Sequence, residues 1–240
     1  MRSFKIVLLA ACMLSVVSLQ AQTVDEIINK YFEALGGKEK VASMKSVHTE
    51  YDVEVSGIAA SGASWIVNGK AFRNEMSFNG QQMIQCYTDT SGWSVNPFMG
   101  EMTPTVMTAD QVKAGVGQLD LAGPLYNYAA KGNKVELLGK ETLEGKPAFK
   151  LKIKTQAGPE ITSWIDATTY YLVKNYIKAT VNGSDIETTM LTSNFKKTDN
   201  GFVVPYTMQV TISGLTVDMT NKKVEINQDV DMSMFAMPKQ

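Results

Sequence analysis

The 240-residue chain has two cysteines, Cys12 and Cys86, and a single histidine, His48. A zinc site built from clustered Cys and His is excluded by that count. Ser-His-Asp chemistry would depend wholly on His48, which falls in a stretch of alternating residues beside Glu50 and Asp52 and reads as an ordinary surface histidine. There is no Gly-x-Ser-x-Gly elbow, no phosphate-binding glycine loop and no dinucleotide fingerprint. Runs of Lys or Arg are missing and the net charge is −1, so nucleic acid and anionic membrane surfaces lack the basic footprint they need. Apart from one segment at the start, no apolar run approaches membrane-spanning length. Carboxylate pairs do occur, at Asp25/Glu26 and Asp229/Asp231, but a helix start and a chain end are places where they cap and solubilise.

That one apolar segment reads as an export signal. Arg2 and Lys5 precede an uncharged stretch from Ile6 to Leu19, and Ala21 offers a small residue for cleavage, giving a signal peptide over 1–21 and one domain over 22–240. The alternative is a lipobox, Leu9-Ala10-Ala11-Cys12, with Cys12 as a lipid anchor. The apolar run before Cys12 is only about six residues, below the usual range, and the residues after it stay apolar, which favours cleavage at Ala21. Cys86 is then alone, no internal disulfide can form, and the fold must rest on its core.

The mature chain opens on a helix. Thr23 with Glu26 makes a capping box, Val24, Ile27, Ile28, Tyr31 and Leu35 keep helical spacing, and Gly36-Gly37 ends the run; a short turn over 38–44 follows. The period then changes to two. Val47, Tyr51, Val53 and Val55 alternate with His48, Glu50, Asp52 and Glu54, and Phe149, Leu151 and Ile153 alternate with three lysines. Phe72, Met76 and Phe78 share a face. Further strands are expected at 62–68, 82–89, 92–96, 134–139, 161–166, 170–181, 185–195, 202–213 and 215–227, parted by Asn-Gly, Ser-Gly and Glu-Gly turns, Asn182-Gly183 among them. Ten or eleven strands in meander order predict a mainly β (α+β) chain whose antiparallel sheet curls toward a barrel. From Pro97 to Gly132 the pattern is not strand-like. Thr108 with Gln111 is a second capping box there, and the segment is expected as short helices over the open side of the sheet.

Soft apolar bulk is abundant. Met76, Met83, Met99, Met102 and Met107 stand among Trp65, Phe72, Phe78, Tyr87, Trp93 and Phe98, either as core filling or as the lining of a site that adapts to its guest.

Four segments carry a family resemblance. They are Thr23-Val24-Asp25-Glu26-Ile27-Ile28 leading to Ala34-Leu35-Gly36-Gly37; Ser91-Gly92-Trp93-Ser94-Val95-Asn96-Pro97-Phe98; Leu119-Asp120-Leu121-Ala122-Gly123-Pro124-Leu125; and Asp231-Met232-Ser233-Met234-Phe235-Ala236-Met237-Pro238. In that order the chain resembles the periplasmic lipoprotein-carrier (LolA/LolB-like) superfamily, and in particular outer-membrane lipoprotein-sorting proteins. The resemblance implies an unclosed antiparallel half-barrel with an N-terminal helix and lid helices over an apolar cavity that holds lipoprotein acyl chains. It implies no enzyme activity and no cofactor or metal. The expected partners are an acylated lipoprotein or lipid and envelope donor or acceptor proteins, with the chain itself a monomer. A structural or interaction module without bound lipid is the alternative. The expected ligand lining is Trp65, Phe72, Met76, Phe78, Met83, Trp93, Phe98, Leu121 and Leu125. One departure stands out. The carrier proper has an Arg-Pro pair after its early tryptophan strand, its arginine latching the lid, whereas here Trp65-Ile66-Val67 runs into Asn68-Gly69-Lys70, with Arg73 nearby.

Overall fold

The computed structural model describes residues 22–156, 158–181 and 184–239. The expected signal peptide, the Cys12 lipobox and the Asn182-Gly183 turn lie outside them.

Among the described residues thirteen strands form one antiparallel sheet: β1 (Ser46–Val55), β2 (Ile58–Val67), β3 (Ala71–Phe78), β4 (Gln81–Thr88), β5 (Gly92–Asn96), β6 (Glu101–Val106), β7 (Lys134–Leu143), β8 (Lys146–Lys154), β9 (Glu160–Asp166), β10 (Leu172–Val181), β11 (Ser184–Lys197), β12 (Val203–Ile212) and β13 (Leu215–Ile226). Their spatial order is β6-β5-β4-β3-β2-β1-β13-β12-β11-β10-β9-β8-β7. Two meanders are thus joined at the β1–β13 seam, and β6 and β7 are left as free edges, so the half-barrel is unclosed. The expected meander is present with more strands than ten or eleven. The element not expected is β6, which lies in the Pro97–Gly132 segment read as short helices and contains Pro104. Proline is tolerated there because β6 is an edge and one side of it needs no ladder donor.

Among the described residues three α-helices accompany the sheet: α1 (Val24–Ala34), α2 (Lys38–Ala42) and α3 (Ala109–Gly115), the last running into a 3-10 turn over Val116–Leu119. Both expected capping boxes form: the side-chain oxygens of Thr23 and Thr108 accept from the backbone N–H of Glu26 and Gln111, whose side chains accept in return.

Register separates the two faces of the sheet. Paired residues share a face, so Ile66, Phe72 and Tyr87 lie together, followed along the strands by Tyr51, Gly62, Met76 and Met83. The same face continues across the seam through Val53, Met219 and Met208, and reaches Leu151, Ser163 and Asn175 on the far side. This is the helix-bearing face. On it α1 buries Ile27, Ile28 and Phe32 against Phe149, Leu151, Ile153 and Ile165, while Leu119 covers Phe72 and Tyr87. The opposite face carries a second apolar cluster, Ala71, Cys86 and Trp93, roofed by Phe235 from the C-terminal tail.

Candidate functional site

The site is the helix-bearing face together with the segment laid over it. Helix α3 lies against both β4 and β10, strands separated by six others in the sheet order. One seven-residue helix can touch both only because the sheet curls around it. Three hydrogen bonds tie residues 115–121 of the lid to the sheet and its β2–β3 turn. The Tyr87 hydroxyl donates to the Gly115 carbonyl at 3.1 Å. The Gly69 N–H donates to the Leu119 carbonyl at 2.8 Å. The Leu121 N–H donates to Asn68 Oδ1 at 3.1 Å. The last two bonds come from the β2–β3 turn, the very place where the sequence departs from the carrier pattern. Burial pushes the Tyr87 phenol well above its ordinary pKa, so it remains a proton donor throughout the neutral range. Beyond Leu121, Lys131 pairs with Asp120 at 2.5 Å, the Asn133 amide donates to the Pro124 carbonyl at 2.9 Å, and the Tyr128 hydroxyl donates to Asp25 Oδ1 on α1 at 2.9 Å, so the rest of the segment is tied both to itself and to the first helix.

The nine expected lining residues fall into four groups. Phe72, Met76, Phe78 and Met83 share the helix-bearing face. Phe98 projects from the β5–β6 turn, 54% exposed, with its ring edge-on to Phe78 at 5.3 Å. Leu125 is buried under α1 within the core, and Leu121 is half-buried in the lid. Trp65 and Trp93 belong to the opposite face, in register with Arg73 and Cys86. Trp65 and Ile66 are adjacent and both apolar, so the period of two does not tell which of them faces the helices.

Tyr51 was not among the expected residues. It is 4% exposed and lies across Gly62 to donate to Asn74 on β3. A Cβ on Gly62 would stand 2.6 Å from the Tyr51 ring, so glycine is required for this crossing. The signal in the sequence was a glycine inside a strand opposite an aromatic, which is legible only once the register is known.

The opposite face has its own lock. The Phe235 carbonyl accepts from Trp93 Nε1 at 3.0 Å and from Cys86 Sγ at 3.2 Å, and Arg73 Nη1 donates to the Met234 carbonyl at 2.5 Å. Arg73 also stacks on Trp93 with its guanidinium carbon 5.3 Å from the ring centroid and bonds Glu75. The arginine nearest the expected latch position thus holds the tail. Burial raises the Cys86 thiol to about 11, against the opposing pull of Arg73. On the same face His48 stacks on Trp65 at 4.9 Å and bonds Glu225 at 2.9 Å. It is therefore half-buried rather than on the freely wetted face expected for it.

Two open hollows border the sheet. One of about 340 Å³ opens on the tail-bearing face around Glu50, Asp52, Glu75 and Lys222; the other, about 590 Å³, lies between α2 and the β11–β12 turn at Gly37, Lys40, Asn200 and Phe202. Of the expected lining residues only Met76 borders either. Among the described residues no His, Cys, Asp and Glu gather in a group able to hold a metal ion, and no helix is long and apolar enough to cross a membrane.

No family model and no curated protein matches the chain. Solved structures do. A domain ascribed to outer membrane lipoprotein sorting from Vibrio parahaemolyticus aligns with a TM-score of 0.54 at 13% identity, over 88% of this chain and 94% of that one. A LolA superfamily protein from Nitrosomonas europaea and a DUF1329 family protein from Desulfovibrio piger each align with a TM-score of 0.56 at 12% identity, over 90% of this chain and 98% of theirs. At such identities the likeness is one of architecture. The chain has a LolA-like fold.

Proposed function

We propose that this chain is an exported, non-enzymatic carrier of lipoprotein acyl chains or other apolar guests, working in the periplasm after a leader over 1–21 is removed. The observation that carries the reading is the apolar strip on the helix-bearing face. Met76, Phe78, Met83, Met190, Met208 and Met219 lie on it, each only half-buried, although the lid and α1 cover the same face on either side. Apolar side chains left partly accessible inside a curled sheet suit a guest better than they suit water. Methionine adapts to chains of varying shape, and each methylene kept from water is worth about 0.8 kcal/mol. The LolA-like fold supports the same reading. Phe72, Met76, Phe78, Met83, Phe98 and Leu121 are the residues proposed to meet the guest, with Trp65, Trp93 and Leu125 supporting the walls from behind.

A second reading, a structural module of the envelope filled by its own side chains, has one observation in its favour: Tyr51 lies over the sheet where a guest would rest. Uptake of a fluorescent fatty acid separates the two. The carrier reading expects saturable, stoichiometric uptake that falls at least tenfold in Phe78→Asp; no uptake by the folded wild-type protein favours the structural module.

A further inference from the structure

The sheet ends differently at its two ends. The turns after β2 and β11 lie at one end, where they meet the lid and α2. The turns after β1, β3, β5 and β12 lie at the other, neighbours along the sheet, as the antiparallel order and the pairing of Val55 with Val217 require; the ends of β8–β9 and β10–β11, which carry Lys154 and Lys178, lie farther along that same end. That second end is tipped with exposed apolar side chains: Ile58 (44%), Phe98 (54%), Met99 (77%), Met102 (65%), Ile212 (45%) and Leu215 (52%). Residues 52–61, 74–83, 94–103 and 207–219, which make these four tips, contain no Lys or Arg; their only charges are Asp52, Glu54, Glu75, Glu101 and Asp218. Ile58 pairs with Val55, and Ile212 with Leu215, on the helix-bearing face. At Ile58, Phe98, Ile212 and Leu215 the apolar tips are therefore the outer rim of the same surface that carries Phe78 and Met219, with Met99 and Met102 at the end of the β5–β6 turn beside them.

We propose that this end docks on the apolar boundary of a neutral phospholipid bilayer, the four turns dipping among the headgroups so that an acyl chain passes along the rim into the half-barrel. The proposal rests on the carrier reading and adds the surface through which a guest enters. Continuity of the rim with the inner strip selects a lipid surface, because no apolar chain sliding between them need cross water. Carboxylates without a single base select a neutral surface over an anionic one, since attraction to anionic lipid needs Lys or Arg at the contact. Large apolar patches at one end of a chain mark such contacts more often than chance exposure does.

The test is co-flotation of the purified full chain with phosphatidylcholine vesicles, in parallel with fluorescent fatty acid uptake in solution. The expected result is vesicle binding that resists salt, is not strengthened by added phosphatidylglycerol, and falls at least tenfold in the variant Ile58→Ser, Met99→Ser, Met102→Ser, Leu215→Ser. That variant should keep its fatty acid uptake, since none of the four is placed in the guest lining. Val106→Ser with Leu138→Ser, exposed apolar residues away from these tips, should bind vesicles as the wild type does. Four outcomes overturn the proposal: no vesicle binding by the wild type, equal binding by the fourfold variant, binding that requires anionic lipid, or rim-dependent self-association in place of vesicle binding. Intact fatty acid uptake beside any of these leaves the carrier reading standing; lost uptake in the wild type removes that reading separately.

Discussion

Tyr87 reaches from the end of β4 to Gly115 at the end of the lid helix, its hydroxyl donating to the Gly115 carbonyl at 3.1 Å and its ring lying where a Gly115 Cβ would be, 2.6 Å away. The contact is both a hydrogen bond and a steric fit. Tyr87→Phe removes the bond and leaves a buried carbonyl short of a donor, at a cost of about 1 kcal/mol. Amide exchange over 109–119 should quicken while that of β8 and β9 stays the same. Gly115→Ala forces the lid outward and should quicken it further, because backbone and ring cannot both keep their places. Unchanged exchange in both variants would show that Tyr87 does not hold the lid.

Gly62 is the counterpart in the sheet itself. A side chain there meets both the Tyr51 ring and the Glu75 carbonyl at 2.6 Å, and the carbonyl belongs to backbone that cannot swing aside. Gly62→Ala should cost about 1–3 kcal/mol, the usual range for overpacking, seen as a lower urea midpoint with unchanged slope. A neutral substitution would mean that Tyr51 readily leaves its place across β2.

How far the sequence foretold these contacts varied with the range of the interaction. Local signals were legible: the Thr23/Glu26 and Thr108/Gln111 boxes, the glycines closing α1, and the clean alternation of Phe149, Leu151 and Ile153 with lysines all appear as expected. Strands whose neighbours are all apolar were not. Trp65-Ile66-Val67 has no polar residue to mark a face, so Trp65 was expected among the lining and lies under the tail instead. The edge strand β6, which contains Pro104, lies in the segment read as short helices. The ties between the Asn68-Gly69 turn and the lid join residues about fifty positions apart, and nothing in local composition records such a pairing.

The tail prediction concerns packing. Phe235 is 6% exposed and closes the cluster around Trp93. Phe235→Ala should cost about 3–5 kcal/mol, as for other buried phenylalanines. Removing residues 231–240 should cost more, because Trp93 Nε1 and Arg73 Nη1 then lose the carbonyls they bond. A tail that can be removed without loss of thermal stability would contradict its role as a roof.

Cys86 supplies a pH test. Its thiol is raised to about 11 by burial, whereas a free thiol ionises near 8.5. A raised folded-state value means the protonated form belongs to the fold. The associated stability is intact below the free-thiol value and is lost as pH climbs toward about 11. The native protein should resist alkylation at pH 8 and gain reactivity on tail removal, since Phe235 covers the sulfur. Rapid labelling of the native protein at pH 8 would contradict the buried, neutral thiol.

The carrier reading is tested most directly by native mass spectrometry of protein taken from its own cell envelope, followed by lipid extraction. The account predicts one co-purifying acylated peptide or lipid per chain, lost or much reduced in Phe78→Asp. A clean mass for the unliganded chain, with no lipid in the extract, would contradict it.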